Sequence, residues 1–100
     1  MSRKGDLDKM ASLVGNAAAH AALFREEKES PIYTEQAAEI ASKRSWNKRE
    51  IDYFREKATT RAKSEIEMRI KRYSLDPKKF EDYMKRATSY IEEFVETYLR

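Results

Sequence analysis

The residue types that most often carry out catalysis are sparse in this chain of 100 residues. It contains one histidine, His20, and no cysteine. Without cysteine there is no thiolate nucleophile, no disulfide, and none of the thiolate ligands that most structural zinc sites use. Asn16 stands one helical turn before His20, but no serine and carboxylate accompany it in an order typical of nucleophilic catalysis. We therefore interpret His20 as a residue at the edge of a helix face, and we expect no catalytic residues and no enzyme activity.

Carboxylates at helical spacing could in principle bind a metal ion. Glu35 and Glu39 are four residues apart, as are Glu92 and Glu96. Di-iron bundles need Glu-x-x-His pairs that face inward, and no glutamate stands three residues before His20. The two glycines are isolated, so there is no glycine-rich phosphate loop. We expect solvated glutamates, no metal, no cofactor and no small-molecule substrate.

Residues 43–49 form a basic segment that could bind nucleic acid. Its bases could neutralise phosphates and its tryptophan could stack on a base. Residues 43–72 carry eleven bases and five acids, so the positive charge is diluted. The alternative is that the tryptophan fills the core beneath a short helix and that the bases form a solvated face. The candidate nucleic-acid residues are Lys43, Arg44, Trp46, Asn47, Lys48 and Arg49.

The last quarter of the chain carries the strongest amphipathic pattern. At about 100° per residue, its aromatic and aliphatic side chains fall on one uncharged arc of a helix. Such a stripe must be buried in the core of this chain or against a partner. The helix before it has two arginines within its apolar stripe, which could reach the edge or pair with carboxylates at a subunit contact. The candidate interface residues are Arg55, Arg69, Tyr83, Tyr90, Phe94 and Tyr98.

The elements that position these residues are predicted to be helices. The sequence contains only four glycines and prolines in total, while 40% of its residues are hydrophobic. Ser30-Pro31 should end the first helix, Asn47 and Glu50 resemble a capping box, and Asp76-Pro77 should start the last helix. The slim, alanine-rich first helix complements the aromatic last helix. We predict one all-α domain over residues 1–100, a compact bundle with a loose helix-turn-helix in the middle and helices over residues 6–29, 34–44, 48–73 and 77–100.

Two functions remain open at this point. The first is a non-enzymatic helical protein-interaction module that associates with itself as a homodimer. The second is a nucleic-acid-binding protein that uses residues 43–72. The uncharged run over residues 10–24 is too short and too polar to span a membrane, so we expect a cytoplasmic protein with no membrane partner. The abundance of Lys, Arg and Glu, with two Asn and one Gln, is typical of proteins from hot environments.

Overall fold

The computed structural model describes residues 2–24 and 29–100, including every side chain there except those of residues 29 and 30. Helix α1 spans Arg3–Leu23, α2 spans Glu29–Ala41, α3 spans Lys48–Arg72 and α4 spans Phe80–Phe94. A 3-10 turn, Pro77–Lys79, precedes α4, and a π-helical turn, Val95–Leu99, follows it. The described residues include no strand. The prediction of an all-α bundle with four helices is confirmed.

The ends of the first two helices differ from the predicted ones. Helix α1 starts three residues earlier than expected, because the Ser2 hydroxyl accepts a hydrogen bond from the Gly5 N–H group at 3.0 Å. It ends at Leu23 instead of residue 29, and residues 25–28 lie outside the described part. Pro31 does not separate two helices but is the third residue of α2. The first turn of a helix tolerates proline, because its N–H groups have no acceptor within the helix.

The predicted capping box at the start of α3 is confirmed. The Glu50 N–H group donates to Asn47 Oδ1 at 2.8 Å, and the Asn47 N–H group donates to Glu50 Oε1 at 3.1 Å. The predicted break before the last helix is also present. Ser74 adopts a positive φ of 53°, and Asp76 Oδ1 accepts a hydrogen bond from the Lys78 N–H group at 2.9 Å.

Helix α1 is the centre of the bundle. It packs against α2, α3 and α4, and α3 also packs against α4. The predicted contact between the alanine-rich α1 and the aromatic α4 is therefore present.

Residues 42–47 join α2 to α3, but these two helices pack chiefly against α1 and contact each other little. In a helix-turn-helix, a turn of three or four residues joins the two helices. The connection between α2 and α3 has six residues, so this arrangement differs from that motif. None of the described helices has the length and apolarity to cross a bilayer.

The contact between α1 and α3 is very close at Gly15. A Cβ atom on this residue would lie 2.6 Å from Arg61 Cβ and 2.8 Å from the Ala58 carbonyl oxygen. Glycine therefore allows the two backbones to approach to a distance that no other residue type permits. The largest fully buried side chains of the core include Met10, Val14, Phe54, Ile66, Ile91 and Val95.

Candidate interaction surfaces

The basic segment 43–49 folds around Trp46. This side chain is only 9% exposed, and its indole N–H group donates to the Ala41 carbonyl oxygen at 3.0 Å. The guanidinium groups of Arg3 and Arg44 lie over the ring, 5.4 and 5.8 Å from its centroid. The structure thus agrees with the interpretation of Trp46 as a core residue, whose 9% exposure leaves little ring surface for stacking on a nucleic-acid base.

Two ion pairs hold this segment and the adjoining start of α3 to the start of α1. Arg44 Nη2 lies 2.7 Å from Oδ2 of Asp6, whose side chain is 2% exposed. A carboxylate buried to this degree needs a charged partner. Arg3 donates two hydrogen bonds of 2.8 Å to the Glu50 carboxylate and one of 2.7 Å to the Ser45 carbonyl oxygen. These contacts occupy the cationic groups of Arg3 and Arg44 within the chain.

The pKa of Glu50 falls from its ordinary value of 4.5 to about 2. The main cause is the pair of hydrogen bonds from Arg3, followed by the bond from the Asn47 backbone N–H group. The nearby positive charge of Arg44 lowers the pKa further. Glu50 therefore remains ionised far into the acid range, and it holds α1 and the start of α3 together.

The six candidate nucleic-acid residues divide into two groups. Arg44, Trp46 and Asn47 serve the fold through the ion pair, the core contact and the helix cap. The other three residues are exposed bases that form no ion pair within residues 2–24 and 29–100. This second group consists of Lys43, Lys48 and Arg49.

The two arginines of the candidate interface have partners within the chain. Arg55 forms a two-pronged contact with Glu92 of α4, with Nε–Oε1 and Nη2–Oε2 distances of 2.7 and 3.0 Å. Arg69 pairs with Glu65, one turn earlier on α3, and its Nη2 atom lies 2.8 Å from His20 Nε2. Because a guanidinium group can only donate, His20 Nε2 is the acceptor. Both arginines thus link helices within the bundle, so a subunit contact is not needed to explain their charge.

His20 lies near the carboxyl end of α1, where its side chain is buried. Its ring centroid is 6.3 Å from that of Phe24 and 6.1 Å from that of Tyr33. It is thus a packed histidine, in line with the interpretation from the sequence. Across the described ranges, no group of three or more histidine, aspartate or glutamate side chains could hold a metal ion.

The four aromatic candidates on the last helix differ in exposure. Phe94 is buried and lies 5.5 Å from Phe54, centroid to centroid, so its ring belongs to the core. Tyr83 and Tyr90 are half-buried, and the Tyr90 hydroxyl is hydrogen-bonded to Thr34 of α2. Tyr98 is 43% exposed although its ring lies only 4.8 Å from that of Phe94. Tyr98 is therefore the candidate most accessible to a partner.

Tyr98 stands between two pockets. A pocket of about 170 Å³ is lined by Thr34, Tyr90, Glu93 and Thr97, among others. A larger pocket, of about 410 Å³, is lined by Tyr98 and by Trp46, among others. The π-helical turn places Val95 and Leu99 in the core while Tyr98 remains exposed. π-helical turns are rare in proteins, and those that occur are often found at functional sites. No signal in the sequence predicted this one.

A third pocket, which involves Tyr53, is not evident from the sequence. This pocket has a volume of about 220 Å³ and an apolar floor formed by Leu7 and Tyr53. Lys4, Arg49 and Glu50 complete its lining. Tyr53 is fixed by its hydroxyl group, which donates to Asp8 Oδ1 at 2.5 Å. The pocket joins residues more than 40 positions apart, so no local spacing could reveal it.

No protein-family model, curated protein or solved structure matches this chain.

Proposed function

We propose that this chain is a non-enzymatic helical protein-interaction module that associates with itself through the aromatic end of its last helix. The observation that carries this proposal is the exposure of Tyr98. Its ring belongs to an aromatic cluster with Phe94, yet 43% of the residue is open to solvent between two pockets. An aromatic side chain in such a position is well suited to fill a complementary cavity in a partner.

The free energy available from this side chain is considerable. A tyrosine presents about 200 Å² in total, so 43% exposure leaves about 90 Å² accessible. At roughly 25 cal/mol per Å² of apolar surface, complete burial would contribute up to about 2 kcal/mol. Two such contacts in a symmetric dimer would contribute up to about 4 kcal/mol, which offsets only the low end of the entropic cost of association, so further contacts around Tyr98 must supply the rest.

Sedimentation velocity across a concentration series tests this proposal. The wild-type chain should shift from monomer towards dimer as its concentration rises, and Tyr98→Ala should move this transition to higher concentration. Tyr73→Ala is the matched control, because Tyr73 is 52% exposed but belongs to the end of α3. A wild-type chain that stays monomeric at every concentration would refute the proposal. Equal effects of the two substitutions would refute the role of Tyr98.

Nucleic-acid binding is a second candidate, favoured by the exposure of Lys43, Lys48 and Arg49. This function would depend on phosphate contacts alone, since Trp46 and Arg44 are engaged within the chain. Mixed-sequence DNA and RNA should then bind more weakly as salt rises, and replacing the three bases by glutamine should reduce both the affinity and its salt dependence. Unchanged affinity in the triple variant would exclude this surface.

A further inference from the structure

We infer that the receptor for Tyr98 is the Tyr53 pocket of a second copy of this chain. The Tyr53 pocket is the apolar pocket lined by Lys4, Leu7, Arg49, Glu50 and Tyr53. The Tyr98 surface consists of Glu93, Thr97 and Tyr98, which share the wall of one pocket on the last helix, together with the exposed Glu96 two positions before Tyr98. This inference rests on the proposed self-association and names the two surfaces that would form it.

Bases outnumber acids around the Tyr53 pocket: Lys4 and Arg49 line it and Lys57 Nζ lies 5.7 Å from the Tyr53 ring centroid, whereas the acids are Glu50 and Asp8. Lys4 and Arg49 are exposed, and neither forms an ion pair with any described residue. The acid in the pocket wall, Glu50, already binds Arg3 through two hydrogen bonds. The pocket therefore combines an apolar floor with surroundings that carry a net positive charge.

The Tyr98 surface has the complementary character. Tyr98 supplies an exposed ring, and Glu93 next to it is exposed and without an ion pair in the described part of the chain. Glu96 is also exposed, and its one ion pair within the described residues is a surface contact of 2.9 Å with Arg100, which is weak enough to rearrange. Arg44 and Arg100 line the other pocket beside Tyr98 and pair with Asp6 and Glu96. Glu93 therefore leaves the surroundings of the Tyr98 ring net negative, which matches an apolar pocket lined by Lys4 and Arg49.

The two surfaces lie at the same end of the bundle. Trp46 lines the large pocket beside Tyr98, and Arg3 lies over the Trp46 ring while it binds Glu50 of the Tyr53 pocket. In the inferred dimer, a two-fold axis at this end brings each Tyr98 surface against the Tyr53 pocket of the other copy. Such a dimer is closed, because both contacts form at once.

A charge-reversal experiment on the full chain tests this arrangement. Lys4→Glu with Arg49→Glu reverses the pocket, and Glu93→Lys with Glu96→Lys reverses the Tyr98 surface. Each double variant should weaken self-association at low salt by about tenfold or more in sedimentation velocity, because like charges then face each other. Raising the salt concentration should weaken the wild-type dimer as well.

An equimolar mixture of the two double variants gives the decisive result. In the mixed dimer, the unchanged Tyr98 surface of the pocket variant meets the unchanged Tyr53 pocket of the other variant. In the second contact the charges of both surfaces are reversed, so opposite charges face each other in both contacts. Association close to the wild-type strength should return. Lys78→Glu with Lys79→Glu is the control, because these exposed lysines lie at the start of the last helix and outside both surfaces. Circular dichroism verifies that each variant is folded, and Lys4→Gln with Arg49→Gln gives a milder version of the pocket variant.

The outcomes separate this inference from the proposed function. If the wild-type chain associates but the charge reversals have no effect, or if the mixture does not recover, the inference is wrong and self-association uses another surface. If the wild-type chain never associates, the proposed function itself fails. Loss in both double variants, recovery in the mixture and no change in the control would support the Tyr53 pocket as the receptor.

Discussion

Replacement of Gly15 by alanine should destabilise the bundle, although alanine is the better helix former. In an ordinary helix interior this substitution stabilises by roughly 0.5–1 kcal/mol. Here the added Cβ atom would lie 2.6 Å from Arg61 Cβ and 2.8 Å from the Ala58 carbonyl oxygen. Neither neighbour is the end of a flexible side chain, so α1 and α3 would have to move apart.

The size of the effect follows from the balance of these two contributions. An overpacked core costs about 1–3 kcal/mol, and the gain in helix propensity offsets part of this cost. We therefore expect a net loss of about 1–2 kcal/mol in the free energy of unfolding. For a domain of this size, that loss lowers the Tm by about 5–10 °C. The 3.2 Å hydrogen bond between Arg61 Nε and Asn16 Oδ1 should also weaken, because it spans the same contact.

Urea and thermal unfolding followed by circular dichroism would measure this effect. Gly5→Ala is the matched control in the same helix, because its Cβ atom would contact only the Ser2 hydroxyl oxygen, at 3.1 Å. The control should stay within about 0.5 kcal/mol of the wild type. A Gly15→Ala variant as stable as the wild type would refute the close approach of α1 and α3 on which this reasoning depends.

Two further predictions concern the ion pairs near Trp46. Arg44→Ala should lower the free energy of unfolding by about 2–4 kcal/mol, because it leaves the buried Asp6 carboxylate without its partner. Urea titrations would measure this loss, and a loss below about 0.5 kcal/mol would contradict a buried ion pair. Because the pKa of Glu50 is lowered to about 2, its contribution is fully present above its ordinary pKa and is lost as the pH falls from about 5 to about 2. The difference in stability between wild type and Glu50→Gln should therefore be constant above pH 5 and shrink towards pH 2; a difference that does not change with pH would show that Arg3 and Glu50 are not coupled.

Local signals in the sequence were sufficient to predict most of the fold. The Asn47 and Glu50 capping box and the Asp76-Pro77 break each involve residues within three positions of each other, and both are present. Pro31 led to a wrong boundary, because proline both terminates a helix and fits its first turn. The surrounding sequence did not decide between these two roles.

The candidate surfaces could be predicted only in part, because they depend on distant residues. The sequence left open whether Arg44 and Trp46 are exposed or serve the core, because their partners Asp6 and Arg3 are about 40 residues away. Helical periodicity placed the aromatic residues of the last helix on one face without separating the buried Phe94 from the exposed Tyr98. That difference arises at the end of α4, where the π-helical turn begins.

Self-association of this chain can be measured by sedimentation equilibrium of the wild type. We expect a weight-average mass that rises with concentration from 11.8 kDa towards roughly twice that value, the mass of a closed dimer. A mass that stays at 11.8 kDa over the whole accessible concentration range would show that the chain does not associate with itself.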